Sequence, residues 1–341
     1  MSMNEKLDSP ILFELRQAIE AYLKLSVEDL KDEQYLDMVR MMSYLLGWEE
    51  ENQQAMGKRI RPLLTLLTCA TLGGDWQSAL PTAAAIELIH NFSLVHDDIE
   101  DNSETRRGRP TIWKRWGIAK AINLGDAIFV LSRLSSFRLQ ELGLPSDRIL
   151  AILHVLDRAC LELTIGQQMD LEFEELPSVD LDTYLRMIQG KTAALVAAST
   201  KCGAIIASAP DEIVELLAQY GHHLGLAFQI RDDILGIWGE SARTGKSTGD
   251  DLRSRKKTLP ILFGLNQSQK FRDLWNMAQI DETTLHQMRL TLEESKALQF
   301  ANEKAGMHTR SALNSLQMLN GKEPFHQELI DLTHILLDRE Q

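Results

Sequence analysis

The chain has 341 residues, of which 44% are hydrophobic and 25% are charged, and its formal net charge is −13. This composition is typical of a soluble globular protein with a large core, and the acidic balance argues against nucleic acid as a general partner. An anionic small substrate is not excluded, because bound divalent metal ions can reverse the local charge.

Helical periodicity begins near the start of the chain. Apolar residues recur at helical spacing over 11–25 and again over 36–48. A third helix over 61–72 is expected to end at a Gly-Gly pair. Pro81 suits the first turn of a fourth, long helix that runs into a group of acidic residues. The N-terminal third is therefore predicted to be helical.

The rest of the chain shows the same pattern, without a convincing strand, a linker or a low-complexity tract. We predict one all-α domain over residues 1–341. The predicted helices cover 118–142, 145–171, 181–208 and 211–237, with loops over 102–116 and 238–257 and a tail of shorter helices broken near 266, 281 and 321.

Cysteine usage and the N-terminus bear on the compartment. Cys69, Cys160 and Cys202 lack metal-ligand spacing, so we expect small buried residues in a reducing environment. The N-terminus lacks the basic and apolar segments of a signal peptide. No apolar run reaches the ~18 residues that a membrane span needs. These features predict a cytoplasmic protein without an integral membrane segment.

The fourth helix ends in the run Asp97-Asp98-Ile99-Glu100-Asp101, although the helix dipole disfavours carboxylates at this end. Asp97 and Asp101 are four residues apart, so they share a face and lie ~6 Å apart along the axis. Such a pair suits Mg²⁺, which takes one or two carboxylates together with substrate phosphates. His90 lies two turns earlier at nearly the same angle, which predicts that one pocket wall carries both.

A second apolar helix carries Asp232-Asp233 near its C-terminal end. A single acidic cluster is more often a solvated helix end than a site. Two clusters of the same type, each followed by a basic loop, favour a cation held between them.

Basic residues are grouped beside both acidic clusters. Arginine holds phosphate oxygens in a two-bond fork and lysine acts as a point charge, so these groups indicate a diphosphate bound together with metal. For any single residue, surface ion pairing is the alternative. The groups are Lys58 and Arg61, Arg106 and Arg107 with Arg109, and Lys246 with Lys256 and Lys257.

In these features the chain resembles the trans-isoprenyl diphosphate synthases, the polyprenyl synthetase family. The motifs occur in the family's order and at its spacing, over roughly residues 50 to 265. They are Gly57-Lys58-Arg59-Ile60-Arg61-Pro62, the run from Glu87 through His90 to Asp101, Arg106-Arg107-Gly108, Gly166-Gln167 with Asp170, Lys191-Thr192, Phe228-Gln229 with Asp232-Asp233, Gly245-Lys246, and Asp251-Leu252 with Lys256-Lys257-Thr258-Leu259-Pro260.

The resemblance implies an isoprenoid-synthase-type helical bundle around a deep central apolar cavity, usually as a homodimer. It implies a Mg²⁺-dependent prenyltransferase that condenses isopentenyl diphosphate with an allylic diphosphate. A diphosphate leaving group needs its developing charge stabilised, which Mg²⁺, Lys and Arg can do. No side-chain nucleophile is expected.

The resemblance also assigns roles to individual residues. Three Mg²⁺ ions per active site are expected on Asp97, Asp101 and Asp232. Catalysis is assigned to these three residues together with Lys191 and Arg106. The allylic diphosphate is expected on Arg106, Lys191, Thr192, Gln229, Lys246 and Lys256. Isopentenyl diphosphate is expected on Lys58, Arg61, His90 and Arg107.

One position departs from the family pattern. The second acidic motif usually carries another Asp four residues after the first, and this chain has Gly236 there. We expect activity to persist because Asp232 and Asp233 remain. We also expect that a weaker or water-mediated metal contact is lost at this position and that the metal affinity is altered.

Product length is expected to depend on residues just before the first acidic motif. Phe92 and Ser93 lie five and four residues before Asp97, a combination that resembles geranylgeranyl (twenty-carbon) synthases. On a helical wheel Phe92 lies ~140° from Asp97 and Ser93 only ~40°, so Phe92 as an ordinary core residue is the alternative. Farnesyl and twenty-five-carbon products are the next candidates.

Two other functions are compatible with parts of the sequence. A terpene cyclase of related fold would ionise an allylic diphosphate without a second substrate, but it would not need Lys58, Arg61, His90 and Arg107. A non-catalytic partner subunit is favoured only by Gly236, while the intact first motif argues against it.

Overall fold

The structure of the chain, a computed structural model, describes residues 9–28, 30, 35–49, 57–239 and 249–337. Helices account for most of this part, which confirms the predicted all-α class. Lys246 lies outside the described residues.

The helices follow the predicted order, and short 3₁₀ turns over Trp76–Ala79 and Arg138–Gln140 connect some of them. The first half contains α1 (Pro10–Glu28), α2 (Leu36–Leu46), α3 (Ile60–Thr71), α4 (Leu80–Glu100), α5 (Ile112–Trp116), α6 (Ile118–Phe137) and α7 (Ser146–Glu175). The second half contains α8 (Leu181–Ile188), α9 (Ala194–Ile206), α10 (Asp211–Trp238), α11 (Asp250–Arg253), α12 (Leu259–Gln267), α13 (Gln269–Trp275), α14 (Glu282–Glu294), α15 (Ala297–Gln317) and α16 (Phe325–Leu337).

The predicted loop over 102–116 was wrong in part, because it contains a small hairpin and α5. Strand β1 (Thr105–Arg106) pairs antiparallel with β2 (Arg109–Pro110). Arg107 and Gly108 close the turn with positive φ values of 54° and 74°. Strands of two residues are too short to show a period-2 pattern, which is why the sequence did not reveal them.

The predicted helix over 181–208 is interrupted by a π-helical turn, Gln189–Ala193, between α8 and α9. Such turns occur frequently at functional sites. Likewise, the predicted loop over 238–257 contains α11. The breaks expected near 266, 281 and 321 are confirmed, because α12 ends at Gln267, α14 begins at Glu282 and α15 and α16 flank residue 321.

Helices α4 and α10 are the centre of the bundle. Every residue from Pro81 to Ile89 is buried, so α4 is enclosed on all sides along this stretch. It packs against α6 and α3, while α10 packs against α15 and α9. Burial of each large aliphatic side chain contributes roughly 1.5–3 kcal/mol. The core therefore holds firmly the two helices whose ends carry the acidic clusters.

Two smaller expectations can be compared with the structure. Cys69, Cys160 and Cys202 are all buried and free, as predicted. Across the described ranges, we find no helix that combines the length and the apolar character needed to cross a membrane.

Candidate active site

The acidic end of α4 is held by an arginine from the hairpin that follows it. Arg106 Nε donates to Asp98 Oδ1 at 2.7 Å, and its Nη2 donates to Asp97 Oδ2 at 3.0 Å. Asp98 is buried, and burial raises its pKa while Arg106 opposes the rise. The hairpin thus places a cation where the helix dipole disfavours the carboxylates.

Lys191 joins two helices at the same place. Its Nζ lies 2.5 Å from Asp170 Oδ2 on α7 and 3.4 Å from Asp97 Oδ1 on α4. Asp97 Oδ1 is buried and accepts no hydrogen bond. This oxygen is therefore a buried acceptor without a hydrogen bond, and the Lys191 ammonium lies 3.4 Å away from it.

Two glycines allow α7 and the π-helical turn to come into contact. A Cβ atom on Gly166 would lie 2.2 Å from Lys191 N, and one on Gly190 would lie 2.5 Å from Glu162 O. Both distances are far below ordinary contact, so larger residues would push the two backbones apart. The close approach of the two backbones at these glycines places Lys191 within contact distance of Asp170 and Asp97.

Asp101 completes the acidic face predicted from the sequence. Burial, together with the charge of Asp97, raises the pKa of Asp101 to about 6. A bound cation would relieve this repulsion, and carboxylate oxygens suit Mg²⁺. Within the described residues, no three His, Cys, Asp or Glu side chains are grouped closely enough to hold an ion alone. The buried Asp97 oxygen without a hydrogen bond and the raised pKa of Asp101 fit a divalent cation at this face.

The second acidic cluster, on α10, divides into two parts. Asp233 is buried and accepts hydrogen bonds from Tyr184 OH, Gln229 Nε2 (3.1 Å) and Leu259 N (3.3 Å). Burial nevertheless raises the pKa of Asp233 to about 7. The neighbouring Asp232 is only half-buried. Asp233 thus anchors the wall, and Asp232 beside it keeps a partly exposed side chain.

Two predicted diphosphate ligands lie beside Asp233 and bind each other. Thr192 Oγ1 donates to Gln229 Oε1 at 2.7 Å. Thr192 comes from the π-helical turn directly after Lys191, and Gln229 lies one turn before Asp233. The π-helical turn therefore places Lys191 beside the acidic cluster of α4 and Thr192 beside that of α10.

Of the predicted lysines in the second basic loop, Lys256 is described. Burial lowers its pKa, but Asp170 and Asp251 more than offset this and raise the pKa overall. Its neighbour Lys257 donates instead to the carbonyl of Phe173 at 2.5 Å, near the end of α7. Lys256 is thus the member of the pair that the carboxylates of the site hold charged.

A second cationic group surrounds His90. Burial lowers the pKa of His90 well below its ordinary value, and Arg61 and Arg107 lower it further, so the ring is neutral. The Arg107 guanidinium lies against the loop before α3, where a Cβ on Gly57 would be 2.6 Å from Arg107 Nη1. Lys58 follows in this loop. The structure therefore brings together His90, Arg61 and Arg107, three of the four residues expected to bind isopentenyl diphosphate.

Arg61 connects this group to the second acidic wall. Its Nε is buried and has no hydrogen-bond partner. Burial lowers the pKa of Arg61, while the charges of Glu87 and Asp232 raise it. A buried guanidinium donor without an acceptor fits an anionic ligand.

Arg59 has a structural role that sequence reasoning missed. It donates to Glu20 Oε1 at 2.6 Å, Glu87 Oε1 at 2.8 Å and Leu46 O at 2.9 Å, and its guanidinium is almost fully buried. Its φ of 51° places it in the left-handed region. Arg59 thereby fixes the loop that carries Lys58 to α1, α2 and α4. The sequence placed Arg59 within a motif, but no pattern in the sequence identified Glu20 as its partner.

Phe92 contacts one aromatic ring on α6 and one on its own helix. Its ring centroid lies 5.3 Å from that of Phe129 and 5.0 Å from that of His96. Ser93 Oγ donates to His90 O at 2.8 Å, so this hydroxyl is used within α4. The partnership with Phe129 across the helices was not foreseen, because residues 92 and 129 are far apart in the chain.

The polyprenyl synthetase family model matches residues 43–294 of the chain. The chain is 39% identical over 312 residues to a (2E,6E)-farnesyl diphosphate synthase of Mycobacterium tuberculosis, covering 88% of this chain and 86% of that protein. It is 43% identical over 235 residues to a geranylgeranyl diphosphate synthase of the same species, covering 67% and 65%. A geranylgeranyl pyrophosphate synthase from Corynebacterium glutamicum, solved with isoprenyl diphosphate and magnesium, has a similar structure (TM-score 0.81, 25% identity, 96% and 98% covered).

The contact between α7 and the π-helical turn yields a prediction about Gly166. Gly166→Ala would place a methyl group against Lys191 N, and overpacking of this kind costs roughly 1–3 kcal/mol. We expect a lower melting temperature in thermal unfolding followed by circular dichroism. In the control Gly306→Ala, on α15, the nearest atom is an Arg310 nitrogen at 3.4 Å. Equal melting temperatures for the two variants would contradict the proposed close approach.

Proposed function

The chain belongs to the polyprenyl synthetase family of prenyltransferases, and we propose that it condenses isopentenyl diphosphate with allylic diphosphates to give geranylgeranyl diphosphate. The observation that carries the proposal is the presence of two separate anion-binding groups. One combines Lys191, Arg106 and carboxylates, and the other surrounds His90 with guanidinium groups. A condensation of two diphosphates needs both groups, whereas a cyclase needs only one.

The first group suits the allylic diphosphate. Asp97, Asp101 and Asp232 would hold up to three Mg²⁺ ions, which would offset the negative charge that develops on the leaving diphosphate. Arg106 and Lys191 already lie within 3.4 Å of Asp97 and would contact the same oxygens. The similarity to the protein solved with isoprenyl diphosphate and magnesium supports this assignment.

The second group suits isopentenyl diphosphate. Lys58, Arg61 and Arg107 supply positive charge, and neutral His90 supplies a hydrogen-bonding ring within this group. The allylic C–O bond would break with its electron pair leaving on diphosphate. The double bond of isopentenyl diphosphate would then attack the carbocation, and the released diphosphate would accept the proton that is lost. The buried apolar helices around the site would keep water away from the cation.

Product length would be limited by aromatic rings between α4 and α6. Phe92 lies five residues before Asp97, which is ~7.5 Å along the helix axis. Phe92 contacts Phe129 on α6, so a second aromatic ring lies beside position 92. The relatives include a farnesyl and a geranylgeranyl synthase, so we base the twenty-carbon proposal on the aromatic residue at position 92.

We further propose that the chain is one catalytic domain over residues 1–341 and that it forms a homodimer. Helices α6 and α7 expose several large apolar side chains, and exposed apolar surface marks interaction sites where it is contiguous. These side chains are Ile118, Ile122, Val130, Leu134 and Phe137 on α6 and Leu150, Leu161 and Ile165 on α7. A cytoplasmic location stays a prediction.

The principal test is incorporation of labelled isopentenyl diphosphate. Purified protein with Mg²⁺ is offered dimethylallyl, geranyl or farnesyl diphosphate as primer, and the products are separated by chain length. We expect a twenty-carbon diphosphate, and no product when a chelator replaces Mg²⁺. No incorporation with any primer would refute the proposal and favour a non-catalytic subunit. A hydrocarbon formed from geranylgeranyl diphosphate alone would favour a cyclase.

The chain-length proposal predicts the effect of removing either ring. Phe92→Ala should shift the main product beyond twenty carbons, and Phe129→Ala should shift it in the same direction, because both changes open space between α4 and α6. Phe263→Ala, in a stacked pair with Phe300 at 4.3 Å, is the matched control. An unchanged product distribution in both test variants would show that these rings do not limit length.

The dimer proposal is tested by sedimentation velocity. A charge in the apolar face, Leu134→Glu, should convert the protein to monomer at micromolar concentration because burying an unpaired carboxylate is costly. Met318→Glu, at an exposed methionine directly after the end of α15, should leave the dimer intact. Circular dichroism establishes that both variants are folded. A wild-type protein that sediments as a monomer would contradict the proposal.

A further inference from the structure

The hairpin formed by β1 and β2 carries residues of both anion-binding groups. Arg106, on β1, donates to Asp97 Oδ2 and Asp98 Oδ1 and belongs to the first group. Arg107, in the turn, lies against Gly57 in the loop before α3 and belongs to the second group. Because the two arginines are adjacent in the chain, the position of the hairpin decides whether both groups can form at once.

Tyr44, in the last turn of α2, contacts the returning strand of this hairpin. Its hydroxyl donates to Pro110 O at 2.8 Å. The guanidinium carbon of Arg109 lies 4.5 Å from the centre of the Tyr44 ring, and that of Arg115, on α5, lies 4.4 Å from it. Both distances are within the range of cation–π attraction. The Tyr44 side chain is buried and therefore joins α2 to the hairpin and to the helix that follows it.

The end of α2 is itself fixed in place. Gly47, with a φ of 81°, closes the helix by donating from its N–H to Tyr44 O at 3.1 Å. Leu46 O accepts a hydrogen bond from Arg59 Nη2 at 2.9 Å. Arg59 belongs to the loop that carries Lys58. One helix end thus holds two segments of the second anion-binding group, this loop through Leu46 and the hairpin through Tyr44.

The two arginines of the hairpin should depend on Tyr44 to different extents. Arg106 has ion pairs of its own with Asp97 and Asp98, at 3.0 Å and 2.7 Å, which do not involve α2. Arg107 lies at the tip of the hairpin, where a tilt of the two strands moves a residue furthest. Loss of Tyr44 should therefore displace Arg107 from the second group and leave the first group in place.

We propose that Tyr44 is a positioning residue for isopentenyl diphosphate, which acts by holding the hairpin so that Arg107 stays beside the loop that carries Lys58. The inference rests on the proposed function, because it names a substrate of that function. Tyr44 lies ahead of the motifs found in the sequence, and its role follows from its contacts with Pro110 and Arg109.

Steady-state kinetics separates positioning from a general loss of stability. Tyr44→Phe keeps the ring and removes the hydrogen bond, so the KM for isopentenyl diphosphate should rise roughly threefold. Tyr44→Leu also removes both cation–π contacts, and the rise should reach roughly tenfold or more. The KM for the allylic primer and kcat should stay within about twofold of wild type, because Arg106 keeps its own ion pairs.

The matched control is Tyr220→Phe, which removes a buried hydroxyl contact between Tyr220 and Thr333 at 2.6 Å, where α10 meets α16. This change should lower the melting temperature without changing either KM. Circular dichroism checks that each variant is folded. An unchanged KM for isopentenyl diphosphate in Tyr44→Leu, or equal rises in KM for both substrates, would overturn the inference.

Limited trypsin digestion tests the position of the hairpin independently of turnover. Trypsin cuts after Arg106 and Arg107, and such cleavage follows the population of the locally opened state. Tyr44→Leu should be cut there roughly fivefold faster than wild type or Tyr220→Phe, with the fragments identified by mass spectrometry. Equal rates of cleavage at these sites would overturn the inference. Faster cleavage in Tyr44→Leu, together with a wild-type protein that incorporates no isopentenyl diphosphate, would refute the proposed function and still support the role of Tyr44 in holding the hairpin.

Discussion

The ion pairs of Lys191 with Asp170 and Asp97 allow carboxylates from two helices to lie together. Two like charges 4 Å apart repel by about 4 kcal/mol at the effective dielectric constant of a protein surface. Lys191 and Arg106 offset this repulsion on opposite sides of Asp97. The π-helical turn carries Lys191, and the close approach of α7 to this turn at Gly166 sets the position of Lys191.

A second constraint is the buried position of Arg59. Its contacts with Glu20, Glu87 and Leu46 tie the loop before α3 to three other helices. Removal of one partner from a buried ion pair leaves an uncompensated charge and typically costs about 3–5 kcal/mol. Arg59 therefore supports the loop that carries Lys58.

Much of the candidate site was predictable, because its residues lie at regular helical spacing next to local motifs. A separation of four residues on one helix predicts that Asp97 and Asp101 share a face. A separation of two turns predicts that His90 lies on the same face. The hairpin at Arg107 and the π-helical turn were not predictable, because both are only a few residues long. Glu20 and Phe129 were missed because each acts through a partner that is distant in the chain.

The sequence by itself determined the all-α class, the two acidic helix ends, the grouping of basic residues beside them and the family. These properties depend on local spacing and on residue type, which periodicity and motifs express directly. Only the tertiary structure decided that Tyr44 contacts the hairpin at Pro110, that Phe92 meets Phe129 and that Lys191 bridges Asp97 and Asp170. Each of these contacts joins segments that are separate in the chain, so packing of the whole bundle is required to bring them together.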